Sequence, residues 1–325
     1  MRADPIPVIE SVRAVRALGS ECVLRVTAED DTSALVLLDD AVTLLAELEQ
    51  RWSRFRDDSE LSILNRNAGT PVAVSIETCE LLALAIEAWK VTDGLFNPSI
   101  LGALVDAGYD RPFDELSSGP PSGQVAAQAA SPAPGLGEVV VDAANLLVTL
   151  PANVSLDFGG IGKGRAADLV LEQLLASGAL GACVDLGGDI RVGGRGIEGE
   201  GWVIAVDDPF NPGQDLALIS LSAGSVTTSS RMRRQWTTVD GSAHHLVDPA
   251  TGRPARSGLA AVTVVAADAA WGEIHAKAAL IAGSFEGVFL LMQAGLSGLL
   301  VQDDGTVLRA GPIDDFLISY PDVSL

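Results

Sequence analysis

The 325 residues predict an α+β fold in which antiparallel sheets pack against helices. Two observations carry this. Short apolar runs follow one another through Gly-rich turns instead of alternating one for one with helices. Between and beside them lie longer stretches with apolar residues at helical spacing. With 48% of its residues hydrophobic, the chain has enough apolar surface for a substantial core. A length prior of roughly 150 residues per domain allows two domains, but single α+β domains of this size are ordinary.

In chain order, Cys22 to Val26 read as an edge strand. Ser33 to Phe55 form an amphipathic helix, with Leu35, Leu38, Val42, Leu45, Leu48 and Trp52 at helical spacing. Asp57 followed by Glu60 three residues later has the form of a capping box and opens a short helix ending near Asn65. A third helix runs from about Glu77 to Thr92 and stops at Asp93-Gly94. Residues 111–138 are rich in Pro, Ser, Gly, Ala and Gln without periodicity, which predicts a flexible loop or insertion. Motifs that suit one site lie on both sides of it, so residues 1–325 are read as a single domain. Strands then follow at Val139–Val141, Leu146–Leu150, Ala182–Asp185, Trp202–Val206, Ala217–Leu221 and Ala260–Ala266. Helices are expected from Gly164 to about Ser177 and from Ala270 to Ala282.

Composition excludes several function classes. A net charge of −22 argues against a general nucleic-acid or anionic-membrane surface. A phosphorylated ligand remains compatible if the few cations gather in one pocket. Cys22, Cys79 and Cys183 are odd in number and far apart, which suits buried thiols in a reducing compartment. The opening MRADPIPVIESVRAV lacks the basic-then-apolar layout of a secretory signal, and no stretch approaches ~20 uninterrupted apolar residues. A soluble, cytoplasmic protein is expected.

The richest chemistry lies in Ser155-Leu156-Asp157-Phe158-Gly159-Gly160-Ile161-Gly162-Lys163-Gly164. Glycines let a ligand approach the main chain, and a strand running into a helix N-terminus offers N–H groups and a positive dipole end to a phosphate. Lys163 adds a cation, and Asp157 an acceptor for a ribose hydroxyl or ring N–H. The spacing is neither that of a P-loop nor G-x-G-x-x-G, and a structural turn with a surface lysine would look the same. A second cluster is His244-His245-Leu246-Val247-Asp248-Pro249-Ala250-Thr251-Gly252-Arg253-Pro254. Asp-Pro-x-Thr-Gly is a turn whose Asp and Thr satisfy local backbone donors. A histidine beside it can take a proton near neutral pH, or do no more than hold the turn. A third piece, Asp93-Gly94-Leu95-Phe96-Asn97-Pro98-Ser99, is a sharp exit from a helix.

Together and in this order, the pieces resemble the ApbE family of FAD:protein FMN transferases. RWSRFRDDSELSILN, DGLFNPSI, SLDFGGIGKGRAADLV, VDLGGDI, TTSS, HHLVDPATGRP and WGEIHAKAALIAG carry the likeness, from about Trp52 to Gly283. The resemblance implies a fold related to the tunnelling-fold proteins, with FAD in a cleft between sheet and helices. It also implies transfer of FMN to a Ser or Thr hydroxyl of an acceptor flavoprotein, with AMP released. On the same grounds Phe55 would face the flavin; Leu95, Phe96, Asn97, Asp157 and Lys163 would contact FAD; and Leu246 would add a backbone contact. His245 would be the general base. Two other uses of such a pocket stay open: attack by water, giving an FAD pyrophosphatase, and flavin binding without catalysis.

The family's metal site, usually for Mg²⁺, is where this sequence departs. The carbonyl position falls on Gly160 and the Asp position on Glu273, but the Thr position falls on Lys277. Residues four apart share a helix face, so Glu273 and Lys277 are expected to point into one site. An ammonium there would repel a hard cation that wants oxygen ligands. Either Lys277 takes over part of the metal's work on the pyrophosphate, or the two residues are a plain helix ion pair. The three arginines Arg231, Arg233 and Arg234 after TTSS suit a phosphate, an acidic acceptor, or solvent equally well.

Overall fold

The computed structural model describes residues 8–118, 131–238 and 241–319. Its frame is an antiparallel sheet. Eight strands run in the spatial order Ile9–Ala17, Ser20–Ala28, Gly181–Leu186, Asp189–Gly196, Gly224–Ser230, Leu259–Ala266, Ser297–Gln302 and Val307–Ala310. The short Gly199–Glu200 segment adds to the fourth of them. Antiparallel pairing fits the expected α+β class, with three of the neighbouring pairs joined by short turns and the others by long connections that carry helices, other strands or both. Leu18-Gly19 and Gly187-Gly188 make two such turns, and all four residues hold positive φ, the geometry two-residue hairpins require.

Helices cover one face. Asp31–Trp52 buries Leu38, Leu45 and Leu48 and is capped by Asp30, whose side chain accepts from Ser33 N–H. Gly162–Ala176 and Ala269–Ala282 pack side by side, and the close approach depends on Gly164. A Cβ at Gly164 would lie 2.5 Å from the carbonyl oxygen of Ala269. Asp168 of the first helix caps the second, accepting from Ala269 N–H at 2.8 Å and Ala270 N–H at 3.0 Å. A smaller sheet of Trp202–Asp207, Asp215–Leu221 and Leu317–Ser319 packs through its own apolar cluster with the strands Gly224–Ser230 and Leu259–Ala266.

Three expectations need correction. The strand around Cys22–Val26 is interior, because Ile9–Ala17 pairs with it from outside and is the true edge. The short helix Glu60–Arg66 is capped by Ser59, not Asp57. Ser59 Oγ accepts from Ser62 N–H, while the Glu60 carboxylate reaches across to Ser75. The stretch 111–138 is not uniformly a loop: Phe113–Ser118 is helical, and residues 131–138 pack on the molecule. Ala133 N–H donates to Pro249, Gly135 N–H donates to Ser99 Oγ, and Leu136 is buried. Residues 119–130 of the expected insertion lie outside the described residues. All three cysteines are free, with Cys22 and Cys79 buried. Among the described residues no helix is long and apolar enough to cross a membrane.

Candidate functional site

Three distant segments are tied into one wall. Asn65, at the end of the short helix, clamps the backbone of Leu156, donating to its carbonyl at 2.9 Å and accepting from its N–H at 2.8 Å. Asp157 N–H donates to the Pro98 carbonyl at 2.8 Å, fixing the Gly-rich segment to the Leu95–Ser99 turn. Asn97 shapes that turn, its Oδ1 accepting from both N–H and Oγ of Ser99. The sequence folds this way locally because Gly94 at positive φ ends the preceding helix, and Thr92 Oγ1 accepts from Phe96 N–H.

In front of this wall lies a cleft of about 450 Å³. That volume is ordinary for a small-molecule site. Phe55, Leu95, Phe96, Asn97, Asp157, Gly160, Lys163, His245 and Lys277 all line it, nine of the eleven residues singled out from sequence. Glu273 joins through a recess of about 60 Å³ that also touches Gly159, Lys163, His245 and Lys277. Leu246 does not line the cleft. Its side chain is 1% exposed in an apolar cluster, and its carbonyl accepts from Ala255 N–H. Phe96 is almost wholly buried, so it presents little ring surface, whereas Phe55 is 39% exposed.

One end of the cleft is aromatic and the other charged. Phe55, Tyr109 and Trp236 form a chain of tilted rings, with centroids 6.0 Å and 5.3 Å apart. Arg54 lies over the first two, its Cζ 4.2 Å from the Phe55 ring and 4.5 Å from that of Tyr109. The same arginine pairs with Asp157 at 2.7 Å. The other oxygen of Asp157 accepts from Gly159 N–H at 2.7 Å, so protein donors already hold this carboxylate in place.

At the charged end, Lys163 lies between Asp189 and Glu273 and pairs with both, at 3.0 Å in the case of Glu273. Burial opposes its charge, but Asp189 and then Glu273 outweigh that and raise its pKa. The pKa of Asp189 is pushed up by burial and by Glu273, against the pull of Lys163. Asp189 arrives there because the Gly187-Gly188 turn of VDLGGDI starts its strand at this point. The second oxygen of Glu273 accepts from Gly164 N–H at 2.9 Å. The helix N-terminus expected to offer open N–H groups is therefore partly capped from within, Gly162 N–H donating to the Phe158 carbonyl as well.

Lys277 has no ion-pair partner within 4.0 Å among the described residues, Glu273 included, so the plain helix pair does not form. Its Nζ leans on the Gly-rich backbone, 3.4 Å from the Gly159 carbonyl, and a Cβ at Gly160 would collide with it. Burial pushes its pKa down, while Glu273 pulls the other way. These residues do not make a hard-cation site. Both Glu273 oxygens are engaged, an ammonium stands at the Gly159–Gly160 backbone, and no group of three or more His, Cys, Asp or Glu that could hold a metal is found among the described residues.

The two neighbouring histidines are separated by the structure. His244 turns its Nε2 to the Ala255 carbonyl at 3.0 Å and is buried. His245 lines the cleft. Its Nδ1 is buried with no hydrogen-bond partner among the described residues, so no second group selects its tautomer. Burial, and after it Arg234 and Lys277, hold its pKa well below the usual histidine value. The Asp248 turn beneath it is built as its sequence implies, with Asp248 accepting from Ala250 N–H and Thr251 Oγ1.

Four residues were not singled out for the site: Arg54, Tyr109, Asp189 and Arg234. Arg234 lines both cavities and donates to Gly19 and Ser20, whereas Arg233 pairs with Asp207 and Arg231 with Asp303. Arg54 and Asp189 stand inside quoted motifs, and Arg234 belongs to the arginine cluster after TTSS, one of whose possible roles was to hold a phosphate; Tyr109 carries no local signal.

The chain matches the ApbE family over residues 18–300. A FAD:protein FMN transferase of Treponema pallidum is 30% identical over 328 residues, spanning 94% of this chain and 88% of that protein. One from Haemophilus influenzae is 32% identical over 231 residues, spanning 69% of this chain and 66% of that protein. Among solved structures, the ApbE protein of Thermotoga maritima superposes with a TM-score of 0.85 at 26% identity, covering 96% of this chain and all of its own. A match over most of the chain, on the same sheet-and-helix frame, makes this protein a member of the ApbE family.

Proposed function

We propose that the protein binds FAD in the 450 Å³ cleft and moves its FMN half to a Ser or Thr hydroxyl of an acceptor flavoprotein, releasing AMP. The observation that carries this reading is the joint lining of one cleft by a neutral histidine, a glycine-rich backbone with an ammonium on it, and an exposed aromatic ring. The names of the relatives from Treponema pallidum and Haemophilus influenzae support the same reaction. We assign FAD contacts to Phe55, Leu95, Phe96, Asn97, Asp157, Lys163 and Lys277, with Arg54 and Arg234 added. In this reading Glu273 and Asp189 hold Lys163 and do not ligate a metal.

In the proposed step His245 takes the proton from the acceptor hydroxyl. The freed oxygen attacks the phosphorus on the FMN side and forms a phosphoester bond. The phosphoanhydride bond breaks, and its electron pair leaves on AMP. Cations fixed beforehand stabilise the charge that builds on the phosphoryl oxygens, with little reorganisation at the moment of reaction. The three free thiols suit a reducing compartment, and we place the reaction in the cytoplasm.

Mass spectrometry of an acceptor flavoprotein after incubation with this protein and FAD tests the reading. The expected result is an acceptor heavier by one covalently bound FMN, with one AMP released for each. FMN and AMP appearing free in solution, with the acceptor mass unchanged, would make water the nucleophile and overturn it.

A further inference from the structure

The charged end of the cleft has a cation with no ion-pair partner among the described residues. Lys163 is occupied by two carboxylates, but Lys277 makes no ion pair among the described residues and still points at the Gly159–Gly160 backbone inside the cleft. Arg234 faces the same space, held by neutral groups, the Gly19 carbonyl and the Ser20 hydroxyl. Leaving a half-buried ammonium unpaired in a low-dielectric recess is costly unless an anion arrives. A diphosphate is such an anion, and its two bridged phosphoryl groups suit a pair of point-like and forked cations.

The donor set for a divalent ion is missing for a definite reason. Glu273, the one carboxylate on the helix face beside Lys277, spends one oxygen on Lys163 and the other on Gly164 N–H. Freeing it would strip Lys163 of a partner and uncap the Gly162–Ala176 helix together. The ammonium also lies where an ion bound to the Gly159–Gly160 backbone would have to sit, and like charges exclude each other there.

We propose that Lys277 is the resident cation of the diphosphate subsite, so that FAD binding and FMN transfer proceed without a divalent metal. This rests on the function proposed above. Lys277 meets the phosphoryl oxygens directly, Arg234 flanks them, and the Asp189–Lys163–Glu273 group holds the floor of the subsite rigid without lending it net positive charge.

Two readouts test this: the FAD dissociation constant from flavin fluorescence, and FMN transfer measured by acceptor mass. Each is measured in EDTA and in MgCl₂, for the wild type and for Lys277→Met. The wild type is expected to bind FAD and transfer FMN equally in both media. Lys277→Met should bind FAD at least about tenfold more weakly in EDTA, and transfer should fall by about 10²–10³. Wild-type binding or transfer that collapses in EDTA and returns with MgCl₂ would overturn the proposal. So would a folded Lys277→Met that binds and transfers at full strength in EDTA. The wild-type comparison decides even if the variant does not fold. Wild type that transfers only with MgCl₂ sinks this inference and leaves the function standing. Metal-independent FAD binding with no transfer in either medium overturns the proposed function and, with it, the transfer half of this inference.

Discussion

His245 is suited to be a base because it is neutral where the reaction runs. Burial and the neighbouring Arg234 and Lys277 make an added proton unfavourable, so its folded pKa lies well below that of a free histidine. The base-competent, neutral form therefore persists as pH falls through the ordinary histidine range and is lost only beneath it. The acid limb of kcat/KM for transfer should therefore fall below pH ~6.5. A limb centred above that value would mean a different group takes the proton. Replacing His245 with Ala should leave the FAD dissociation constant nearly unchanged and cut transfer by about 10²–10⁴. Transfer within tenfold of wild type would remove His245 from the role. The turn after it left a structural histidine equally open and only the family resemblance pointed to His245; the missing Nδ1 partner and the cations that depress its pKa were not legible at all.

At the scale of elements, the glycines of the GGIGKG segment divide the labour. Gly160 leaves room for Lys277, the flexible end of a side chain, whereas Gly164 leaves room for the backbone of Ala269 and Ala270. Gly164 is thus a packing glycine within a motif read as a phosphate cradle. Gly164→Ala should push the two helices apart and cost about 1–3 kcal/mol. The urea midpoint would show it as a fall with the slope unchanged. An unaltered midpoint would mean that the helices meet elsewhere. Helix existence and type were legible from apolar spacing, as Asp31–Trp52 and Ile76–Val91 illustrate. Ends were less so, because Ser59 and Asp57 are both good caps and only the reach of Glu60 to Ser75 decides between them.

Over the whole molecule, a chain of net charge −22 gathers Arg54, Lys163, Arg234 and Lys277 around one cleft. Arg54 and Lys163 are matched by carboxylates there, so the charge that can draw an anion is left to Lys277 and Arg234, which make no ion pair among the described residues. Local pattern could not reveal it: Arg54 and Asp157 stand about a hundred positions apart, and so do Lys163 and Glu273. The class of the sheet was readable from strand runs and Gly-rich turns, but the strand order was not. The edge strand Ile9–Ala17 escaped notice since Glu10, Arg13 and Arg16 interrupt its apolar residues, although charge is what an exposed edge favours. Motifs in register carried the family assignment further than periodicity did, but they did not foresee that Leu246 lies outside the cleft or that Phe96 is buried.

A crystal structure with FAD bound tests the cleft most directly. The diphosphate should lie at hydrogen-bond distance, about 3 Å, from Lys277 Nζ, with the FMN-side phosphorus open to His245 and the flavin toward Phe55. FAD seated outside the cleft, or its diphosphate shielded from both His245 and Lys277, would contradict the proposed chemistry.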